Sequence, residues 1–214
     1  MSRRLARAGG WLMTAVLLAG CAGLGPRPSR PLQYDLGVSA VAAPGPAVPT
    51  ARVLVVAQMD AAGALDGPRM LYRLNYHDPR ELRAYAQARW SAPAPELVRQ
   101  RLAERLGANF TVLGPADAAA RIRPAGPPDL VLRLELLEFS QHFDGPAASF
   151  GRLRLRATLI PAGATGGHPL AQQVLSVERA AASADAAGGV KALAEAVDAA
   201  AAQLADWLAK TPVS

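Results

Sequence analysis

The chain has 214 residues, 51% apolar, 19% charged and 5% aromatic, with a formal net charge of +6. That length is enough for one well-filled domain. Arg3, Arg4 and Arg7 supply three of the six charges, leaving the remainder near +3; so mild a balance lacks the basic footprint of a nucleic-acid binder and excludes nucleic acid as a partner. A single cysteine, Cys21, excludes an internal disulfide.

Residues 1–20 read as a signal peptide. A basic start, Met1 to Arg7, leads into the apolar run Trp11–Leu18. That run is far shorter than the roughly 20 residues needed to cross a bilayer core. Leu18-Ala19-Gly20-Cys21 follows at once and resembles the lipobox of bacterial lipoproteins. There the small residues let the backbone enter a peptidase extended, and the cysteine sulfur accepts a diacylglyceryl group before cleavage. Lipidation also removes a free thiol that an oxidising compartment would make a liability. Ser2-Arg3-Arg4 is similar to a twin-arginine signal, but Ala6 stands where a bulky apolar residue is needed, which favours the general secretory route. No further apolar stretch approaches membrane-spanning length, so the anchor alone ties the chain to a membrane. Residues 21–31, with Gly23, Gly25, Pro26, Pro28 and Pro31, form the lipidated cysteine and its tether.

Residues 32–210 read as one domain. Leu32 to Gly37 alternates apolar with polar and predicts a first strand. A Pro/Ala-rich loop follows from about Val41 to Thr50. Val53 to Ala57 is apolar on both faces, as in a central buried strand. Met70–Asn75 and Glu81–Trp90, separated by Tyr76-His77-Asp78-Pro79, predict a hairpin, although Glu81–Arg89 alone is equally compatible with a helix. Beyond Pro93 and Pro95, Leu97, Val98, Leu102 and Leu106 share one helical face, with Gly107 as C-terminal cap. Asn109–Leu113 predicts a short strand. Leu130, Leu132, Leu134 and Leu136 alternate with other residues, as do Leu153, Leu155, Ala157 and Leu159. Folding these two strands about Asp144-Gly145 predicts Glu135 opposite Arg154. Gln172–Glu178 adds a strand, and Ala187–Lys210 a helix with the stripe Val190, Leu193, Ala194, Val197, Ala201, Leu204 and Leu208. The sum is an α+β fold: a mixed, largely antiparallel sheet with two amphipathic helices packed on one face.

Catalytic patterns are missing. His77, His142 and His168 have no partner at ligand spacing, and no nucleophile elbow, phosphate loop or dinucleotide fingerprint occurs. No cofactor or metal is implied, and an enzyme is the weaker class. His77, beside Asp78-Pro79, reads as a solvated turn residue. Arg152, Arg154 and Arg156, with Arg133, form a basic strand face that suits anionic headgroups or an acidic partner. The bland alternative, a solvated face balanced by Glu135 and Glu138, is what any half-exposed antiparallel sheet shows. Tyr72, Tyr85 and Trp90 either line a groove for a partner or pack the hairpin against the first helix; their large area favours packing.

Leu65-Asp66-Gly67-Pro68-Arg69-Met70-Leu71-Tyr72-Arg73, followed by Tyr85 and Ala88-Arg89-Trp90-Ser91-Ala92-Pro93, resembles the ABC-type transport auxiliary lipoproteins. These accompany MCE-type lipid transport systems such as the paraquat-inducible one. The likeness runs from the lipobox and Tyr34-Asp35-Leu36 to the alanine-rich closing helix. It implies a non-catalytic periplasmic component working with an MCE-domain substrate-binding protein, a permease and an ATPase, and it is compatible with a homo-oligomer. Ala22 after the cysteine, rather than aspartate, agrees with sorting to the outer membrane. Two other classes stay open: a lipid carrier with an apolar cavity, and a hydrolase with a cryptic site. The family carries over one definite residue role, lipidation of Cys21.

Overall fold

The computed structural model describes residues 30–38, 53–61, 63–115, 130–161 and 168–212. The signal peptide, Cys21, most of the tether and the Val41–Thr50 loop lie outside the described residues. Residues Pro31–Ser214 form one compact unit.

In chain order the elements are β1 (Leu32–Tyr34), β2 (Val53–Ala61), β3 (Arg69–Leu74), β4 (Asp78–Trp90), α1 (Ala94–Leu106), β5 (Thr111–Leu113), β6 (Leu130–Gly145), β7 (Ala148–Pro161), β8 (Ala171–Ala180) and α2 (Ala186–Lys210). They form an α+β fold with eight strands in one mixed sheet. Most of the pairing is antiparallel, in the β6–β7 and β7–β8 ladders. The long strand β6 organises the sheet. One edge pairs with β7 throughout; the other pairs in parallel with β2 along its first half and with β3 along its second. Beyond these lie β5, parallel to β2, and β4 with β1.

Alternation decides which face is buried. Leu132, Leu134, Leu136, Leu153, Leu155 and Leu159 are at most 1% exposed and point to the helices, where Val98, Leu102, Leu106, Leu193, Val197 and Leu204 meet them. Each such side chain contributes about 1.5–3 kcal/mol by leaving water. The first helix begins at Pro93, with Pro95 in its first turn, where a missing N–H costs nothing. The second is capped by Asp185, which accepts from the Gly188 N–H at 2.8 Å and from the Ser183 hydroxyl at 2.7 Å. Those bonds hold the Asp185 carboxyl below its usual range.

Several expectations are corrected in detail. Residues 81–89 are strand, and β3–β4 is the expected hairpin. Glu135 faces Arg156, not Arg154, which stands opposite Glu138. The turn centres on Pro146-Ala147 rather than Asp144-Gly145, and two bulges, at Leu136/Glu138 and Phe143/Gly145, shift the register between turn and core. β2 buries Leu54 and Val56 but leaves Val53 and Val55 half-exposed, because only one of its faces meets a helix. Gly107 caps α1 as expected, in right-handed geometry (φ −58°). The buried stripe of α2 keeps Leu193, Val197, Ala201, Leu204 and Leu208 and adds Ala192, Ala196 and Ala200, whereas Val190 and Ala194 are only half-buried. The helix rolls onto its small residues at Gly151 of β7, where a Cβ would lie 2.8 Å from the Leu193 backbone nitrogen.

Candidate functional site

The arginine face is only partly free. On the sheet side away from the helices, Arg156 pairs with Glu135, and Arg152 pairs with Glu178 at 2.7 Å while lying over the Phe150 ring at 5.2 Å. Arg154 and Arg133 are exposed, and among the described residues neither bonds to a carboxylate. The sequence grouping of four arginines thus separates into two neutralised and two available.

A buried polar cluster occupies the upper part of this same face, where β6 breaks its apolar run at Ser140-Gln141-His142. Ser140 and His142 are 1% and 2% exposed. His142 Nε2 lies 2.9 Å from Glu138 Oε1 and 3.1 Å from Ser140 Oγ, its Nδ1 lies 3.1 Å from Asn75 Oδ1, and its ring stacks on Phe150. Asn75 in turn donates to Asp144 Oδ1 at 2.7 Å. Burial raises the Glu138 carboxyl, but the His142 hydrogen bond, with the charges of His142, Arg152 and Arg73, outweighs it and holds the group below its usual range. A serine, a histidine and a carboxylate are together, yet they do not form a nucleophilic relay. In a relay the serine and the carboxylate use opposite ring nitrogens; here both crowd Nε2, and Ser140 is closed to solvent. The cluster ties β6 to the β3–β4 turn. His77 and His168 are exposed and stand apart from it.

The aromatic residues divide in the same way. Trp90 is 1% exposed and packs on Phe139 at 5.3 Å, in the core. Tyr72 and Tyr85 meet at 4.7 Å, with Phe143 edge-on to Tyr72 at 5.9 Å. The Tyr85 hydroxyl donates to Gln141 Oε1, and Gln141 Nε2 donates to Ser149 Oγ, both at 2.9 Å. Burial, then Tyr72 and Asp185, push the Tyr85 phenol well above its ordinary range. The two tyrosines therefore lie towards the start of α2, which packs Gly189 on Gln141, rather than against α1. Packing accounts for Trp90; the tyrosine pair is half-buried.

Sequence reading missed one charged site. Asp198 of α2 accepts from Arg101 (2.7 and 2.9 Å) and Arg105 (2.9 and 2.6 Å) of α1, and Arg101 also donates to the Gly37 carbonyl at 3.1 Å. The available sign was Asp198 itself, an acid between Val197 and Ala199 in an otherwise apolar stretch. Cavities of about 360 and 350 Å³ flank the neighbouring segment 35–37, one lined by Leu97, Gln100 and Arg101, the other by Val190, Lys191 and Ala194. Among the described residues no group of three or more His, Cys, Asp or Glu side chains is placed to hold a metal.

Comparison with known proteins decides the family. The family model described as the ABC-type transport auxiliary lipoprotein component matches residues 34–205. The chain belongs to that family. The match runs from the last residue of β1 into α2, so it takes in nearly all of the described domain. The chain is similar in fold to protein XCC0632 from Xanthomonas campestris, a solved structure, at 22% identity and TM-score 0.65, covering 84% of this chain and 96% of that one. A second solved structure, of an uncharacterised protein, matches at 16% identity and TM-score 0.62, covering 84% and 99%. Such identities show the fold. No curated protein sequence matches the chain. As a transport auxiliary component, the protein is described by its family as part of an ABC transport system rather than as an enzyme.

Proposed function

We propose that this auxiliary lipoprotein works without catalysis, held at the outer membrane through lipid on Cys21, as the docking component of an MCE-type lipid transport system. The observation that carries the reading is a family match over 34–205 placed directly behind a lipobox ending at Cys21. An ABC permease and ATPase supply the energy of such a system; the MCE-domain protein is the partner that reaches this lipoprotein, and several copies assemble around it. The closed Ser140 and the shared Nε2 speak against the hydrolase reading. Affinity capture of the tagged lipoprotein from detergent-solubilised envelopes is the test. Recovery of an MCE-domain protein with its permease and ATPase is expected; repeated recovery of none of them sinks the proposal.

A further inference from the structure

Among the described residues, no helix packs on one face of the sheet. Both helices cover the side that carries Leu54, Leu132, Leu155 and Leu175. On the other side the register aligns Leu113, Val55, Val131 and Ile160 in one row across β5, β2, β6 and β7, each half-buried. Arg133 lies one same-face step along β6 from that row, about 7 Å away, and Arg154 three steps along β7, about 20 Å away. Val174, 48% exposed, stands opposite Arg156 between them and the sheet edge.

The free arginines are free for a reason. Arg154 stands opposite Glu138, but that carboxylate turns to His142 at 2.9 Å and Arg73 at 3.6 Å. Arg133 stands opposite Thr158. The face therefore combines an apolar row with guanidinium groups left in water. The two cavities described above lie by segment 35–37 and the helices, not on this side. A planar partner with phosphates at its surface and apolar depth beneath matches both features. Guanidinium forks fit phosphate oxygens, and apolar side chains enter the headgroup boundary.

We infer that this face docks on an anionic phospholipid surface, through Arg133 and Arg154, with the Leu113–Ile160 row beside Arg133. The inference rests on the Cys21 anchor of the proposed function for its location, and on the face alone for its chemistry. A tether of about ten residues reaches at most roughly 35 Å, which keeps the domain close enough for a weak contact to form repeatedly.

The test uses the mature chain carrying Cys21→Ser, so that neither lipid nor transport partners contribute. It is floated with phosphatidylcholine vesicles with and without phosphatidylglycerol. Binding is expected only with phosphatidylglycerol, falling as salt rises, and falling roughly tenfold or more in the double variant Arg133→Gln, Arg154→Gln. Lys191→Gln, on α2, leaves it unchanged. An unaltered thermal midpoint in the double variant separates loss of the face from loss of the fold, and the headgroup and salt dependence of the parent chain are read without any variant. No binding to either vesicle, equal binding to both, or full binding by the folded double variant overturns the inference; a face reserved for a protein partner gives the first of these. Failure here leaves the capture of an MCE-domain protein untouched, so the two readings fall separately.

Discussion

At Gly151 the absence of a side chain is a packing requirement. A Cβ there would sit 2.8 and 2.9 Å from backbone atoms of Leu193 and Ala192 in α2, which cannot give way as a side-chain tip does. Gly151→Ala should cost about 1–3 kcal/mol, read as a lower urea midpoint with an unchanged slope. Gly67, with nothing within 4 Å of an added Cβ, is the control position. Asp198 is the second residue whose loss should be felt, because Arg101, only 7% exposed at its side chain, depends on it. Asp198→Ala should cost about 2 kcal/mol, below the figure for fully buried pairs because the carboxylate is 26% exposed. The same residue sets a pH dependence. Burial raises its carboxyl, but the hydrogen bonds from Arg101 and Arg105 prevail and hold it below its usual value. A depressed folded-state value means that the unfolded chain binds the proton more readily, so the stabilisation is complete above the unfolded value, near pH 4, and is lost as pH falls through the folded one. Thermal midpoints of the parent chain should therefore drop on acidification below about pH 4, and Asp198→Asn should flatten that drop while lowering stability at neutral pH. Parallel curves for the two proteins would refute the assignment.

Among the elements, the β6–β7 ladder carries the clearest mutational contrast. Leu155 is fully buried and Arg154, its neighbour, is exposed. Leu155→Ala should cost about 2–5 kcal/mol and Arg154→Ala less than about 0.5 kcal/mol, both from denaturation midpoints. That alternation is what made the ladder legible from sequence, since a period of two in leucine places a strand and chooses its buried face at once. The register was not legible to the residue. Expecting Arg154 opposite Glu135 assumes an unbroken hairpin, whereas one bulge, at Leu136/Glu138, falls where β6 exchanges β2 for β3 as its neighbour, a contact far away in sequence, and a second, at Phe143/Gly145, lies beside the turn. The helix stripe held at Leu193, Val197, Ala201, Leu204 and Leu208 and missed at two positions for a related reason. Hydrophobicity favours Val190 and Ala194 as buried, but a helix brought close by Gly151 and Gln141 buries whatever is small enough, and Ala192, Ala196 and Ala200 are. Of the candidate residues, Trp90 resolved to the core as expected. The pairing of two arginines and the freedom of two others required knowing which carboxylates His142 and Arg73 had already engaged.

For the whole molecule, the proposed membrane placement calls on two forces of different character. On the proposed reading, a diacylglyceryl thioether on Cys21 would bring two acyl chains; one chain alone gives marginal binding, whereas two hold stably, at about 0.8 kcal/mol per buried CH₂ and with no dependence on salt. The Arg133 and Arg154 face adds a contact that ionic strength screens over about 8 Å at physiological salt. These differ enough to be separated in one fractionation. The parent lipoprotein, expressed in cells that process lipoboxes, should remain in the envelope pellet through a high-salt wash and partition into the detergent phase of a phase-separation assay. Cys21→Ser, carried behind a secretory signal peptide that is cut without lipidation, should leave the detergent phase completely while its thermal midpoint, measured on the released protein, stays that of the folded domain. Such a chain that keeps its folded domain but loses its lipid should then show at most a salt-labile association, removed by the wash. Cys21→Ser protein that still resists high salt and still enters the detergent phase would show that something other than the thioether anchors it, and the lipobox reading would fall with that result. If the anchor is lost as expected, the arginine face decides only how the domain lies. On the proposed outer-membrane placement, a sheet turned to the headgroups would present α1 and α2 to the periplasm, the side a partner spanning from the opposite membrane would meet.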